Sequence, residues 1–81
     1  MKVTVKLFAV LKEHLGPSVT IDLPATLSQG QLKEAVVKLD PTLEATLVNC
    51  RVAVDQEFVN EDVLNLSDDS EVALIPPVSG G

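Results

Sequence analysis

Tryptophan and tyrosine are absent from this 81-residue chain, Cys50 is its only cysteine, His14 its only histidine, and 6 lysines and arginines face 12 aspartates and glutamates. Each shortage removes a class of function. A single cysteine permits no intrachain disulfide, which makes the cytosol, and a cytoplasmic protein, the expectation. The net charge of −6 has the wrong sign for nucleic acid, since phosphate binding needs a basic surface. Acidic surfaces suit basic protein partners. No apolar run is long enough to span a membrane. Lys6 interrupts the opening stretch Met1-Lys2-Val3-Thr4-Val5-Lys6-Leu7-Phe8, which therefore lacks the continuous apolar segment of a signal peptide. His14 has no cysteine or second histidine near it, so no metal site is expected, and it reads as a solvated side chain on a charged helix face. Also missing are a phosphate-cradling glycine loop, a nucleophile-base pair and paired carboxylates placed for acid-base work. A chain this short buries only about 60–65% of its unfolded surface and has little room for an internal active site. Catalytic side chains are expected on another protein.

What is present is aliphatic. Hydrophobic residues make up 46% of the chain with only two aromatics, Phe8 and Phe58, which indicates a folded domain built from valine, leucine and isoleucine. Val3, Val5 and Leu7 share one parity, as in a half-buried strand. The spacing then becomes helical over Ala9–Leu15, with Gly16-Pro17 as its stop. Val19, Ile21 and Leu23 predict a second strand ending at Pro24. Ser28 with Gln31 resembles a capping box, and Leu32, Ala35, Val36 and Leu39 form the apolar stripe of the main helix, running to about Asp40-Pro41. Leu43 and Leu47 predict one or two further helical turns. Cys50, Val52 and Val54 alternate as a third strand, which turns at Asp55-Gln56-Glu57 into a short fourth around Phe58-Val59. Asp68-Asp69-Ser70 makes the last turn before a final strand carrying Val72 and Leu74, which Pro76 terminates. The order β, short α, β, α, β, β, β predicts an α+β domain with one helix packed on a mixed sheet. The domain covers residues 1–75, and residues 76–81 form an extended tail.

That tail, Pro76-Pro77-Val78-Ser79-Gly80-Gly81, is the most informative segment. At an average glycine usage of about 7%, a chain would close on two glycines roughly 0.5% of the time by chance. The diproline stiffens the exit from the body and lowers the entropy lost on docking. Six extended residues reach roughly 20 Å, enough to enter another protein's active site. A free α-carboxylate is ionised at neutral pH, with a reference pKa of about 3.3–3.7, and is a poor electrophile until ATP activates it. Glycine adds no bulk beside the reacting carbon. The tail reads as a carboxylate on a flexible stalk.

Parity also sets Phe8 and Ile75 opposite to the core-facing Val3, Val5, Leu7, Val72 and Leu74. If the first and last strands are neighbours, Phe8 and Ile75, joined by Phe58, form an apolar patch around the root of the tail, the usual mark of an interaction site. The alternative is that the short helix after Phe8 folds back and buries them. Cys50, on a buried parity, reads as core rather than as a persulfide carrier. Glu61, Asp62, Asp68, Asp69 and Glu71 read as solvated loops at an acidic end of the domain.

Leu7-Phe8-Ala9, Lys12-Glu13, Val52-Ala53-Val54 with Gln56, and above all Glu71-Val72-Ala73-Leu74-Ile75-Pro76-Pro77-Val78-Ser79-Gly80-Gly81 resemble the small subunit of molybdopterin synthase, the MoaD-type sulfur carriers. The resemblance covers the whole chain and implies a ubiquitin-like β-grasp fold. It implies that Gly81 is adenylated by a ubiquitin-activating-type adenylyltransferase using ATP. A sulfur donor protein then converts it to a thiocarboxylate, and the tail inserts into the large synthase subunit. There sulfur passes to cyclic pyranopterin monophosphate in molybdenum cofactor biosynthesis. The family assembly is a heterotetramer, and the chain itself binds no cofactor. Carried over to this sequence, Gly81 bears the reactive carboxyl and Gly80 gives it access. Pro76, Pro77, Val78 and Ser79 line the insertion path, and Phe8, Phe58 and Ile75 face the large subunit. Two positions depart from the family: Asp69 stands in a turn that usually contains glycine, where aspartate tolerates the left-handed conformation, and Leu74-Ile75 precede the diproline where many relatives have aromatics. Thiamine-pathway or tRNA-thiolation carriers and ubiquitin-like protein modifiers, which share a Gly-Gly end, are the alternative readings.

Overall fold

Lys2–Leu7 form strand β1, with Val3, Val5 and Leu7 buried and the residues between them exposed. This is the alternation the sequence predicts. A computed structural model describes residues 1–77 of the chain. After β1 come helix α1 (Val10–Leu15), β2 (Ser18–Asp22), β3 (Thr26–Ser28) and helix α2 (Gln29–Val37). A 3₁₀ turn (Pro41–Leu43), helix α3 (Glu44–Val48), β4 (Arg51–Val54), β5 (Glu57–Phe58), β6 (Val63–Asn65) and β7 (Val72–Ile75) follow. Five strands form one sheet in the order β2-β1-β7-β4-β5, and β3 pairs with β6 in a separate two-stranded ladder. The β1–β7 pair, joining the two ends of the chain, is parallel, and the other pairs are antiparallel. Leu32 and Val36 of α2 share one buried cluster with Val3, Val5, Val52, Val72 and Leu74 of the sheet. A helix held across a mixed sheet in this order is the β-grasp arrangement.

Local chemistry explains the element ends. At the start of α2, the Ser28 hydroxyl accepts from the Gln31 N–H at 3.0 Å, and the Gln31 side chain accepts from the Ser28 N–H at 2.8 Å. That reciprocal pair satisfies two backbone donors and fixes the first turn. Gly16 closes α1 at φ 91°, a conformation that disfavours side chains bearing Cβ. The β4–β5 hairpin turns through Asp55 and Gln56, both at positive φ (52° and 69°), as a two-residue primed turn requires.

Four expectations change. Leu39 is 48% exposed rather than part of the core stripe, because α2 ends at Val37 and the chain leaves its axis before Leu39. Asp69 is not among the residues with positive φ, so the turn there needs no left-handed residue. His14 is not simply solvated: its Nδ1 lies 3.0 Å from Asp40 Oδ2, tying α1 to the loop after α2. Asp40 also accepts from Thr42 and caps the 3₁₀ turn. These hydrogen bonds, Thr42's first and His14's second, lower its carboxyl pKa below the usual 3.8. The small β3–β6 ladder is additional to the predicted strands.

Cys50 is buried just before β4. Its thiol donates to the Thr46 carbonyl at 3.3 Å, and burial raises its pKa. It is a packing residue, as its parity indicates.

Candidate functional site: an apolar face at the root of the tail

β7 carries the chain to Ile75, and its burial alternates so that Val72 and Leu74 face the core while Ala73 and Ile75 face outward. In the parallel β1–β7 register, Lys6 stands beside Ala73 and Leu7 beside Leu74. One step further, Phe8 follows Leu7 on the outer side with Ile75 next to it. On the opposite side of β7, Arg51 stands beside Ile75 and Ala53 beside Ala73. Ala53 in turn pairs with Phe58. Two cross-strand rows result, Phe8-Ile75-Arg51 and Lys6-Ala73-Ala53-Phe58.

The side chains in these rows, apart from Arg51, make a shallow depression of about 250 Å³ lined by Lys6, Phe8, Ala53, Phe58, Ala73 and Ile75, with Gln56 and Glu71 at one end. The alanines form its floor and the larger residues its walls. Phe8 and Phe58 are 44% and 48% exposed, and Ile75 is half-buried. The structure therefore brings Phe8, Phe58 and Ile75 together on one open face. Helix α1 does not fold over Phe8. Leu74 is fully buried, so of the pair before the diproline only Ile75 can meet a partner.

Ala9 turns the chain away from the sheet immediately after Phe8. It has φ 53° and ψ −129°, a region that strains a residue bearing Cβ. The sharp turn leaves Phe8 outside, and the Phe8 carbonyl accepts from the Leu11 N–H at 3.1 Å.

The polar end of the depression is held by Glu71. Its carboxylate pairs with Lys6, and that contact, with a smaller one from Gln56, lowers its pKa below the usual 4.5. The Glu71 backbone exchanges two hydrogen bonds with Asp55, one from the Asp55 N–H at 2.8 Å and one to Asp55 Oδ1 at 2.9 Å. The hairpin that carries Phe58 is thereby clamped to the start of β7.

Pro76 is half-buried and Pro77 exposed. Both line a second concavity of about 430 Å³ with Ala9, Val10, Ala45, Thr46 and Asn49. The expected insertion residues Val78, Ser79 and Gly80 and the reactive Gly81 lie outside the described residues, as does the predicted flexibility of the tail.

A larger concavity, about 610 Å³, lies elsewhere, between α2 and α3, and its lining includes Lys33, Glu34, Lys38 and Glu44. It offers charges of both signs but no serine, cysteine or histidine. Among the described residues no group of three or more histidine, cysteine or acidic side chains is placed to hold a metal ion. No helix there is long and apolar enough to cross a membrane.

Comparison with known proteins matches residues 5–81 to the ThiS family. The chain belongs to the ThiS family. This ThiS-family chain is 39% identical over 82 residues to the molybdopterin synthase sulfur carrier subunit of Dictyostelium discoideum, covering 93% of this chain and 91% of that protein. Among solved structures it superposes on SAMP1, the small archaeal modifier protein 1 of Haloferax volcanii, with a TM-score of 0.79, 29% identity and full coverage of both chains. It also superposes on a chain from the complex of subunits 1 and 2 of molybdopterin-converting factor from Helicobacter pylori 26695, with a TM-score of 0.70, 26% identity and full coverage of both. Both the fold and the family anticipated from the tail and strand order are shown.

Parity identified Phe8 and Ile75, but not Lys6, Arg51, Ala53 and Ala73. The available signal was an outward-facing pair of alanines on adjacent strands, flanked by aromatics, which marks a floor between walls. Reading it required the register.

Proposed function

We propose that this chain is the sulfur-carrier small subunit of a molybdopterin synthase. The observation that carries the reading is the open Phe8-Phe58-Ile75 face at the point where Pro76-Pro77 begins a tail ending in Gly80-Gly81. An apolar face of this kind docks a partner, and docking there brings the carboxyl terminus within a short reach of that partner's interior. The large subunit supplies the catalytic side chains, and the assembly is a heterotetramer.

In this reading the Gly81 carboxylate attacks the α-phosphorus of ATP on an adenylyltransferase of the ubiquitin-activating type, releasing pyrophosphate. A donor delivering sulfur at the oxidation level of sulfide then attacks the acyl carbon and expels AMP, leaving a thiocarboxylate. Inserted into the large subunit, the thiocarboxylate sulfur bonds to a carbon of cyclic pyranopterin monophosphate in place of an oxygen substituent, and water then cleaves the acyl carbon–sulfur bond, leaving the sulfur on the pterin and Gly81 as a carboxylate. Gly80 and Gly81 admit the narrow approach that these attacks need.

The test is to incubate the chain with its adenylyltransferase, ATP and a sulfur donor and to weigh it intact. The expected product has one oxygen replaced by sulfur and forms molybdopterin when the large subunit and precursor are added. An unchanged mass with a competent activating enzyme overturns the reading. The likeness to an archaeal modifier protein favours a second reading, isopeptide attachment of Gly81 to lysines. Lysine-linked conjugates in the same incubation support that reading instead.

A further inference from the structure

Arg51 occupies the outer face beside Ile75, at the foot of the tail. Its guanidinium carbon lies 3.8 Å from the centroid of the Phe58 ring, so the cation is stacked on one of the residues that form the wall of the depression. Stacking uses the flat face of the guanidinium and leaves the N–H donors on its edge available. It also restrains a side chain that is otherwise rich in rotamers, so less entropy is lost when the edge is bound. The ion pairs among the described residues are Lys2–Asp22, Lys6–Glu71 and His14–Asp40. Arg51 is in none of them. Of the two cations in the two rows, Lys6 is neutralised by Glu71, and Arg51 carries the remaining positive charge in a chain of net charge −6.

We propose that Arg51 is a specificity-determining residue of the docking face, a stacked guanidinium that takes a carboxylate from the protein seated on Phe8, Phe58 and Ile75. The proposal rests on the carrier reading and specifies the chemistry of that partner. A protein covering Phe58 also covers the Arg51 stack and removes water from it. A cation desolvated without an acceptor is strongly disfavoured. The planar fork matches a carboxylate in a bidentate geometry that an ammonium cannot reproduce. The overall negative charge draws basic surfaces towards the chain, whereas this single position selects among them for one that presents an aspartate or glutamate beside its apolar patch. Attraction at long range and selection at contact are thus carried by charges of opposite sign.

The test is titration calorimetry of the full chain against the purified large subunit at low and moderate ionic strength, using the wild type, Arg51→Ala, Arg51→Lys and Phe8→Asp. Arg51→Ala is expected to weaken binding about tenfold or more and to change its salt dependence, because a charge-assisted contact is lost. Arg51→Lys should fall between the two, since charge is retained without the fork. All the Arg51 variants should keep the wild-type thermal midpoint, because the side chain is exposed. If Arg51→Ala binds within about twofold of the wild type with the same salt dependence, as an ordinary solvated surface charge would, while Phe8→Asp still impairs binding, the Arg51 proposal is overturned and the carrier reading stands. If the wild type itself does not bind the large subunit, both are overturned.

Discussion

On the inner face of the sheet Val5, Val72 and Leu74 are completely sealed, whereas on its outer side Phe8, just past β1, and Phe58, in β5, keep 44% and 48% of their surface exposed. The two faces are separated by a single residue of strand parity. The inner face gains its free energy during folding, at about 1.5–3 kcal/mol for each fully buried aliphatic side chain. The outer face leaves part of its apolar surface in water, available for association. Stability therefore rests on the inner residues of the sheet and, under the proposed function, recognition on the outer ones, and substitutions on the two faces should have separable effects.

The largest effect is expected from neither face. Deleting Gly81 should abolish thiocarboxylate formation and sulfur transfer, read by intact mass, while the unfolding midpoint and large-subunit affinity stay near those of the wild type. A large loss of thermal stability would show that the terminus belongs to the core and would break the separation. Leu74→Ala, on the sealed face, should lose about 2–5 kcal/mol in urea unfolding, the range for truncating a buried leucine. Phe8→Asp, on the open face, should change stability by no more than about 0.5 kcal/mol. It should weaken large-subunit binding by about 2 kcal/mol or more, as loss of an apolar anchor does. Equal destabilisation by both substitutions would erase the distinction between the faces.

Ala9→Gly sharpens the comparison at the hinge between them. Relief of a strained positive-φ backbone, which costs of order 1–3 kcal/mol, is partly offset by the added flexibility of glycine in the unfolded chain. A net stabilisation of about 1 kcal/mol is expected, measured by the same unfolding titration. The smallest effect concerns acid. Asp40 and Glu71 have folded pKa values below their usual 3.8 and 4.5. Each therefore contributes stability that is complete above its usual value and is lost as pH falls through the lowered one. Thermal midpoints should decline on that acid side, and Glu71→Gln should make the decline slightly shallower. A steeper decline in the variant would contradict the assigned sign.

Much of this architecture is written in short-range patterns. Val3, Val5 and Leu7 announce β1, Ser28 and Gln31 announce the start of α2, and Asp55-Gln56 announce the hairpin. β3 and β6 are three residues each, too short to establish an alternation, and their pairing joins segments far apart in the chain. Leu39 fits the helical period yet falls outside the helix, because the period continues in sequence after the backbone has left the axis. Arg51 reads as an ordinary strand residue until its neighbour in β7 is known.

The sequence by itself determined which residues of each strand face together, because the two-residue period of extended backbone requires only local geometry. It also set Pro76-Pro77 directly after the last strand and Gly80-Gly81 after them. Only the tertiary structure decided that Phe8, Ile75, Arg51 and Phe58 share one surface. That outcome depends on the parallel joining of β1 to β7 and on the placement of β4 and β5 beyond it, and such neighbours are chosen by long-range packing of the core, to which no local period refers.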